Sequence, residues 1–150
     1  MRRRRFIVAS LATVLLALTA CDTTPPPATL TPYPTYSGSL SQRPSTPVKI
    51  TLLSPTKGEV VHGTSVLVRV SVTGGVVTKV ITSQITPTKG HVHLYLNNQL
   101  IYMSYTLEQE IPVQPGLEYT MYAEFVAQDH FPFYPRDVTP TVFFTVAPAT

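Results

Sequence analysis

Cysteine and tryptophan are the scarcest residues in this sequence of 150, which contains one cysteine, Cys21, and no tryptophan. A single cysteine cannot form a disulfide within the chain or a Cys-x-x-Cys redox pair. The folded part must therefore be held together by packing alone, which about one hundred residues can support.

Charged residues are also scarce, at 13% of the chain, and they are unevenly placed. Four of the eleven lysines and arginines lie at residues 2–5, so the chain from Cys21 onward has seven basic and eight acidic residues and a net charge of −1. This balance leaves no basic stripe of the kind that binds nucleic acid. No apolar run of eighteen or more residues follows Cys21, so no later segment is predicted to span a bilayer.

The first twenty residues have the layout of an export signal. Basic residues 2–5 precede an apolar stretch over residues 6–18, and two small residues then precede Cys21. The run Leu18-Thr19-Ala20-Cys21 resembles the lipobox of bacterial lipoproteins, in which the cysteine sulfur takes a diacylglycerol and the peptide is cut just before it. The resemblance implies a lipid anchor on Cys21 and a protein on the extracytoplasmic side of the cell membrane. An ordinary cleavable signal or an uncleaved anchor helix is the alternative.

The segment that follows is predicted to be a tether. Residues 22–47 contain seven prolines, many threonines and serines, and only two charges, Asp22 and Arg43. Such a segment cannot bury enough apolar surface to fold, and its prolines favour extended polyproline II. The predicted organisation is therefore a signal peptide at residues 1–20, a lipidated cysteine and disordered tether at 21–47, and a folded domain at 48–150.

From residue 48 onward, apolar and polar residues alternate with the period of two that is typical of half-buried strands. Asn97-Asn98 separates two such runs and predicts a tight hairpin, because asparagine tolerates the positive φ that this turn requires. No helical period is found in this region. About seven short strands in one hundred residues predict an all-β, immunoglobulin-like β-sandwich. The predicted strands lie near residues 48–52, 65–73, 76–81, 91–96, 99–105, 117–128 and 142–146.

The most specific chemical feature is the Gly-His-Val-His-Leu segment at residues 90–94. On a strand, His91 and His93 share one face about 6 to 7 Å apart, and the valine and leucine face the core. Two such imidazoles can converge on one cation, and neutral imidazole suits copper and zinc. We expect His130 at the same rim of the sandwich, with Asp129 as a fourth ligand or an orienting group. The alternative is that His91 and His93 are polar residues on a solvated sheet face.

The same residues are similar to a bacterial immunoglobulin-like domain family of unknown function. Its members typically contain Gly-His-His-His-Leu, a Pro-Gly turn, and later an Asp followed shortly by His-x-Pro-His. The resemblance extends loosely over residues 53–146, implies an exported β-sandwich, and places His91, His93 and His130 at the family's histidine positions. Val92 and Phe133 replace two further histidines, so this chain lacks two potential ligands of the family pattern.

A second candidate surface is the aromatic group Phe131, Phe133 and Tyr134, which lies beside two prolines in a predicted loop. If exposed, these rings could stack on sugars or accept the side chains of a protein partner. The alternative, which the prolines favour, is a rigid loop that folds back and plugs the end of the sandwich.

Sequence patterns of common catalytic sites are absent, including the nucleophile elbow, the P-loop and the zinc-protease pattern His-Glu-x-x-His. Glu108 and Glu110 would share one face of a strand, but they suit a charged edge that discourages aggregation. We therefore predict a binding or structural module and not an enzyme, with metal-dependent activity at the histidines as the exception. The expected partners are the membrane, through the lipid anchor, and an envelope protein or glycan.

Overall fold

The structure is a computed structural model that describes residues 36–149. Cys21, the signal peptide and the first part of the predicted tether lie outside the described residues. Within residues 36–149 the regular structure consists of ten β-strands and one short 3₁₀ turn, Leu40–Gln42. No helix in this part of the chain is long and apolar enough to cross a membrane.

The ten strands include all seven predicted ones and three more. Of the predicted strands, the one expected over residues 76–81 is much shorter than the alternation suggested and contains only Val76–Val77. The three additional strands are β2, β7 and β9. In chain order the strands are β1 Lys49–Ser54, β2 Glu59–Val61, β3 Ser65–Thr73, β4 Val76–Val77, β5 Lys89–Leu96, β6 Gln99–Ser104, β7 Glu108–Pro112, β8 Glu118–Ala127, β9 Pro132–Val138 and β10 Val142–Val146.

The strands form two sheets, and the fold is an immunoglobulin-like β-sandwich, as predicted. The smaller sheet has the order β1-β3-β7, and both pairings are antiparallel. The larger sheet has the order β2-β10-β8-β5-β4, with β6 also paired to β5 and β9 also paired to β8. Strands β5 and β8 are therefore at the centre of the larger sheet and have neighbours on both sides.

The core lies between the two sheets and follows the predicted alternation. On β3 the side chains of Val66, Val68 and Val70 are at most 5% exposed, while Leu67 on the opposite face is 41% exposed. From the larger sheet, the core side chains that are at most 1% exposed are Val92, Leu94, Met121, Ala123, Phe125, Ala127, Phe133 and Phe144.

The β5–β8 pair places the histidine segment at the middle of the sheet. Its register sets His91 opposite Val126 and His93 opposite Glu124. Gly90 begins the buried part of β5 at a point where the two strands approach closely, and a Cβ atom there would overlap the Val126 carbonyl oxygen. At the other end of β5, Asn97 and Asn98 have φ values of 50° and 64°, as the predicted hairpin requires.

Residues 36–47, which we predicted to be part of the disordered tether, pack against the domain. The Tyr36 ring lies 5.1 Å from the Phe131 ring, and the Tyr134 amide donates to the Pro44 carbonyl at 3.0 Å. The Arg43 side chain is only 7% exposed. The folded unit thus includes a segment that its proline content alone would assign to a solvated linker. Its contacts with specific side chains of the domain offset the conformational entropy that is lost when the segment is ordered.

Candidate functional site

His91 and His93 lie on the outer face of β5, away from the core between the sheets, yet both are buried. Their exposed fractions are 0% and 1%. The alternative in which they are polar residues on a solvated sheet face is therefore wrong. Central strand β5 is covered on both faces, since Val92 and Leu94 are also at most 1% exposed.

His130 completes a stack of three imidazole rings. Its ring centroid is 4.2 Å from that of His91 and 5.7 Å from that of His93, with interplanar angles of 23° and 17°. The His93 Nε2 and His130 Nδ1 atoms are 3.4 Å apart. Tyr105, from the end of the β5–β6 hairpin, contacts the edge of the His91 ring with a centroid distance of 5.0 Å. We call His91, His93 and His130 the histidine cluster.

The hydrogen bonds of His91 fix the ring as a structural element of the cluster. Its Nδ1 is 2.7 Å from the Thr78 carbonyl oxygen, and its Nε2 is 3.2 Å from the Gln128 carbonyl oxygen. Carbonyl oxygens only accept hydrogen bonds, and a ring nitrogen that faces one at this distance does not present a lone pair to a cation. His91 thus connects the segment after β4 to the end of β8 and is not placed as a metal ligand.

His130 is held in an unusual backbone conformation by the turn that carries it. Its φ is 64°, in the left-handed region that non-glycine residues seldom occupy. The His130 amide donates to the Ala127 carbonyl at 2.9 Å, and the Phe131 amide donates to Asp129 Oδ1 at 3.1 Å. This tight turn between β8 and β9 directs the His130 ring over β5.

Asp129 does not act as the fourth ligand that the sequence suggested. Both of its carboxylate oxygens accept hydrogen bonds from the Arg43 guanidinium, each at 2.7 Å. Arg43 Nε also donates to the Pro132 carbonyl at 2.9 Å, and the guanidinium lies over the Tyr36 and Phe131 rings. These hydrogen bonds raise the pKa of Arg43. The carboxylate therefore fastens residues 36–47 to the turn that positions His130.

The pKa values of two rings of the histidine cluster, His93 and His130, are lowered, which favours their neutral form. Burial, followed by the neighbouring His130, His91 and Arg136, lowers the pKa of His93 to about 3. Burial and His91 also lower the pKa of His130, against the opposing effect of Asp129. The neutral imidazole is the form that binds transition metals, and two neutral rings such as His93 and His130 can stack without charge repulsion.

A buried carboxylate beside the cluster was not identified from the sequence. Glu124 is 1% exposed and receives two hydrogen bonds from Arg136, one of them from Nε at 2.7 Å, and a third from the Tyr95 hydroxyl at 3.2 Å. Burial raises the pKa of Tyr95, whose ring stacks on Tyr122 with a centroid distance of 4.5 Å. Glu124 faces outward in the strand alternation, so only its register with His93 would have revealed this network.

The three aromatic residues of the predicted partner loop have different roles. Residues 132–138 form strand β9 and not a loop. Phe133 is fully buried and stacks on Phe125 with a centroid distance of 5.9 Å. Phe131 is partly buried against Tyr36 and Arg43, whereas Tyr134 is 49% exposed. Phe133 therefore behaves as the plug, and only Tyr134 presents much of its ring to solvent.

The arrangement as a whole differs from a three-histidine metal centre. Among residues 36–149, no group of three or more histidine, cysteine, aspartate or glutamate side chains is arranged to hold a metal ion. Within the histidine cluster, His93 and His130 are the two residues whose ring nitrogen atoms lie close to each other.

Comparison with known proteins does not assign this chain to a family. Neither a scan against protein-family models nor a search of characterised proteins gives a match. Among solved structures, the chain is similar to the fibronectin(III)-like modules of CbhA from Clostridium thermocellum, with 21% sequence identity and a TM-score of 0.47. The match covers 67% of this chain and 98% of that one.

Proposed function

We propose that this protein is a lipid-anchored, extracytoplasmic β-sandwich that acts as a non-catalytic binding or structural module at the cell envelope. The observation that carries the proposal is the run Leu18-Thr19-Ala20-Cys21 at the end of a basic and then apolar leader. An envelope protein or a glycan is the proposed partner. The resemblance to exported domains with Gly-His-x-His-Leu agrees with this location.

The folded domain supports the proposal through its organisation. Its two sheets enclose a continuous apolar core without any cysteine, which suits a small domain that must fold after export. Residues 36–47, the last part of the predicted tether, are held on the domain by a largely buried ion pair, Arg43 with Asp129. The domain is thus fastened at one end to the segment that leads to Cys21.

Metabolic labelling with a palmitate analogue, followed by membrane fractionation, tests the anchor. The wild-type chain should incorporate the label and sediment with membranes, and Cys21→Ala should not incorporate the label, because the chain contains no other thiol. Asp22→Ala leaves the thiol in place and is the matched control for labelling. Incorporation of label into Cys21→Ala, or its absence from the wild-type chain, would overturn the proposed anchor.

Transition-metal binding is a second candidate function. The proposed site has two histidine ligands, His93 and His130, and not the three expected from the sequence. The 3.4 Å separation of His93 Nε2 and His130 Nδ1 is close to the ~3.3 Å between two nitrogen ligands at ~2.0–2.1 Å from a tetrahedral zinc. Copper(II) and zinc are the ions that suit imidazole. His91 would hold its place through its carbonyl partners and would contribute no ligand.

Calorimetric titration with copper(II) and zinc(II) separates these possibilities. His93→Ala and His130→Ala should each abolish specific binding, while His62→Ala, at an exposed position, should leave it unchanged. Binding no tighter than that of a histidine-containing peptide, or binding that survives both substitutions, would leave the histidine cluster as a structural feature only.

A further inference from the structure

At one end of the sandwich, the segment that leads toward the predicted anchor packs beside two later segments of the chain. Here the Tyr36 ring contacts Phe131, the Thr46 hydroxyl donates to the Pro87 carbonyl at 2.6 Å, and the Thr82 amide donates to the Gln128 carbonyl at 3.2 Å. We call this the tether end of the domain. It consists of residues 36–49, the segment 73–90 and the turn at residues 127–132.

An exposed apolar group lies at the tether end. Val76, Val80 and Ile81 are 60%, 57% and 62% exposed. Val80 and Ile81 are adjacent in the segment that crosses from β4 to the end of β8, where Thr78 is bonded to Gly90 and Thr82 to Gln128. The flanking hydrogen bonds hold this segment on the sandwich, so its apolar side chains are presented to solvent from a fixed position.

Charge is also divided between the two ends. Lys49, Lys79 and Lys89 are exposed at the tether end. The acidic residue of the tether end, Asp129, is paired with Arg43. Asp137, on the adjoining part of β9, accepts a hydrogen bond from the Ile50 amide at 2.8 Å and lies 3.8 Å from Lys49. The other half contains the glutamates of the described chain that reach solvent, which are Glu59, Glu108, Glu110 and Glu118. It also contains the exposed cations Lys57 and Arg69, so acidic residues outnumber basic ones there by four to two.

We propose that the tether end is a membrane-docking surface. Val80 and Ile81 enter the interfacial region of the bilayer, and the three lysines contact anionic headgroups. Apolar side chains with basic residues around them are the combination that binds anionic interfaces. The glutamates at the opposite end would be repelled by the same surface, so the charge division favours one orientation.

This inference rests on the proposed lipid anchor, because the anchor brings the tether end to the bilayer. Tyr36 follows Cys21 by fifteen residues, which would span about 45 Å as polyproline II. The domain can therefore reach the membrane surface from its anchor. When the tether end is docked on the membrane, the opposite half of the domain, which contains the exposed glutamates, faces away from the bilayer. That half is then the part available to an envelope partner.

The absence of tryptophan from the chain allows a direct test. The test uses the mature chain, residues 21–150 with Cys21→Ser, which has no lipid, and vesicles of phosphatidylglycerol or of phosphatidylcholine. A tryptophan introduced as Ile81→Trp should show a blue-shifted emission with phosphatidylglycerol vesicles only. Leu53→Trp, at a position 51% exposed on β1 near the other end, is the matched control and should not shift. Equal shifts for both probes, or none for Ile81→Trp, would overturn the proposal.

Vesicle co-sedimentation of the same non-lipidated chain measures the contribution of charge. Lys79→Ser and Lys89→Ser should each weaken binding about fivefold, which corresponds to about 1 kcal/mol per lysine at an anionic surface. Lys57→Ser, at the other end, should have no effect. If all three variants bind alike, the docking surface is wrong. Because no lipid is attached in this experiment, its failure leaves the anchor to be decided by palmitate labelling alone.

Discussion

At the scale of single residues, the histidine cluster shows how burial changes the meaning of a motif. His91 and His93 have the i, i+2 spacing of two ligands on one strand face, but His91 is committed to two backbone carbonyls. The cover over this face comes from residues far away in sequence, which are the turn at His130 and the segment after β4. Spacing along a strand predicts which side chains share a face, and it cannot predict what covers that face.

Burial of neutral His93 makes stability depend on pH. The pKa of His93 is about 3 in the folded protein and about 6.5 in the unfolded chain, so between these values only the unfolded state takes up the proton. The contribution of neutral His93 to the stability of the folded domain is therefore complete above pH 6.5, and it is lost as the pH falls toward 3. The free energy of unfolding should decrease by up to about 1.4 kcal/mol per pH unit in this range, as measured by urea denaturation with EDTA present.

The variant His93→Gln should reduce this pH dependence, and His62→Gln, at an exposed position, should leave it as in the wild-type chain. An unfolding free energy that does not change between pH 7 and pH 5 would contradict the burial of a neutral imidazole at His93.

The Arg43–Asp129 pair offers a second test at this scale. Arg43→Ala removes a nearly buried guanidinium and leaves the Asp129 carboxylate without its bidentate partner, so we expect a loss of about 2–3 kcal/mol in the free energy of unfolding. Arg69→Ala is the matched control, because its pair with Glu108 is more than half exposed and such pairs contribute about 0–1 kcal/mol. Equal losses for the two variants would mean that residues 36–47 behave as the solvated tether predicted from their composition.

At the scale of strands, alternation predicted the elements that have one buried face. Strands β1, β3, β5, β6, β8 and β10 lie where the sequence places them. The strand β7 was missed because its charged residues suggested a solvated edge, and it is indeed an edge strand of the smaller sheet. The strand β9 was missed because Pro132 and Pro135 argued for a loop, although proline is tolerated where a strand does not need every amide.

The two neighbouring aromatic residues on β9 test the plug interpretation. Phe133→Ala should destabilise the domain by about 3–5 kcal/mol, since it removes a fully buried ring that stacks on Phe125. Tyr134→Ala, at a half-exposed position, should change stability by no more than about 0.5 kcal/mol. Thermal and urea unfolding of the two variants give the comparison. A small effect for Phe133→Ala would show that the ring does not plug the sandwich.

The candidate site was only partly predictable for a related reason. The antiparallel pairing of β5 with β8 led us to expect His130 near His91 and His93, and the structure places the three rings in one stack. Glu124, Arg43 and the Thr78 carbonyl could not be assigned, because each reaches the site through tertiary packing with no local signal. The sequence thus indicated which residues meet but not which atoms are engaged.

At the scale of the whole molecule, the exposed lysines, the exposed apolar side chains and the point where the chain enters the domain all mark the same end of the sandwich. The exposed lysines of the tether end and Val80–Ile81 lie on the side where residues 36–47 enter the domain, and the exposed glutamates lie on the other side. If the proposed anchor is present, such a division would give the domain one face for the membrane and another for a partner in the envelope. The proposed orientation therefore depends first on the identity of the mature N-terminus.

Mass spectrometry of the N-terminal peptide, from protein extracted from membranes of cells that express the full chain, tests that identity most directly. The proposed lipid anchor predicts that the peptide begins at Cys21 and that its mass includes a diacylglycerol on the sulfur. A peptide that begins at any other residue, or an unmodified Cys21 within an uncleaved leader, would contradict it.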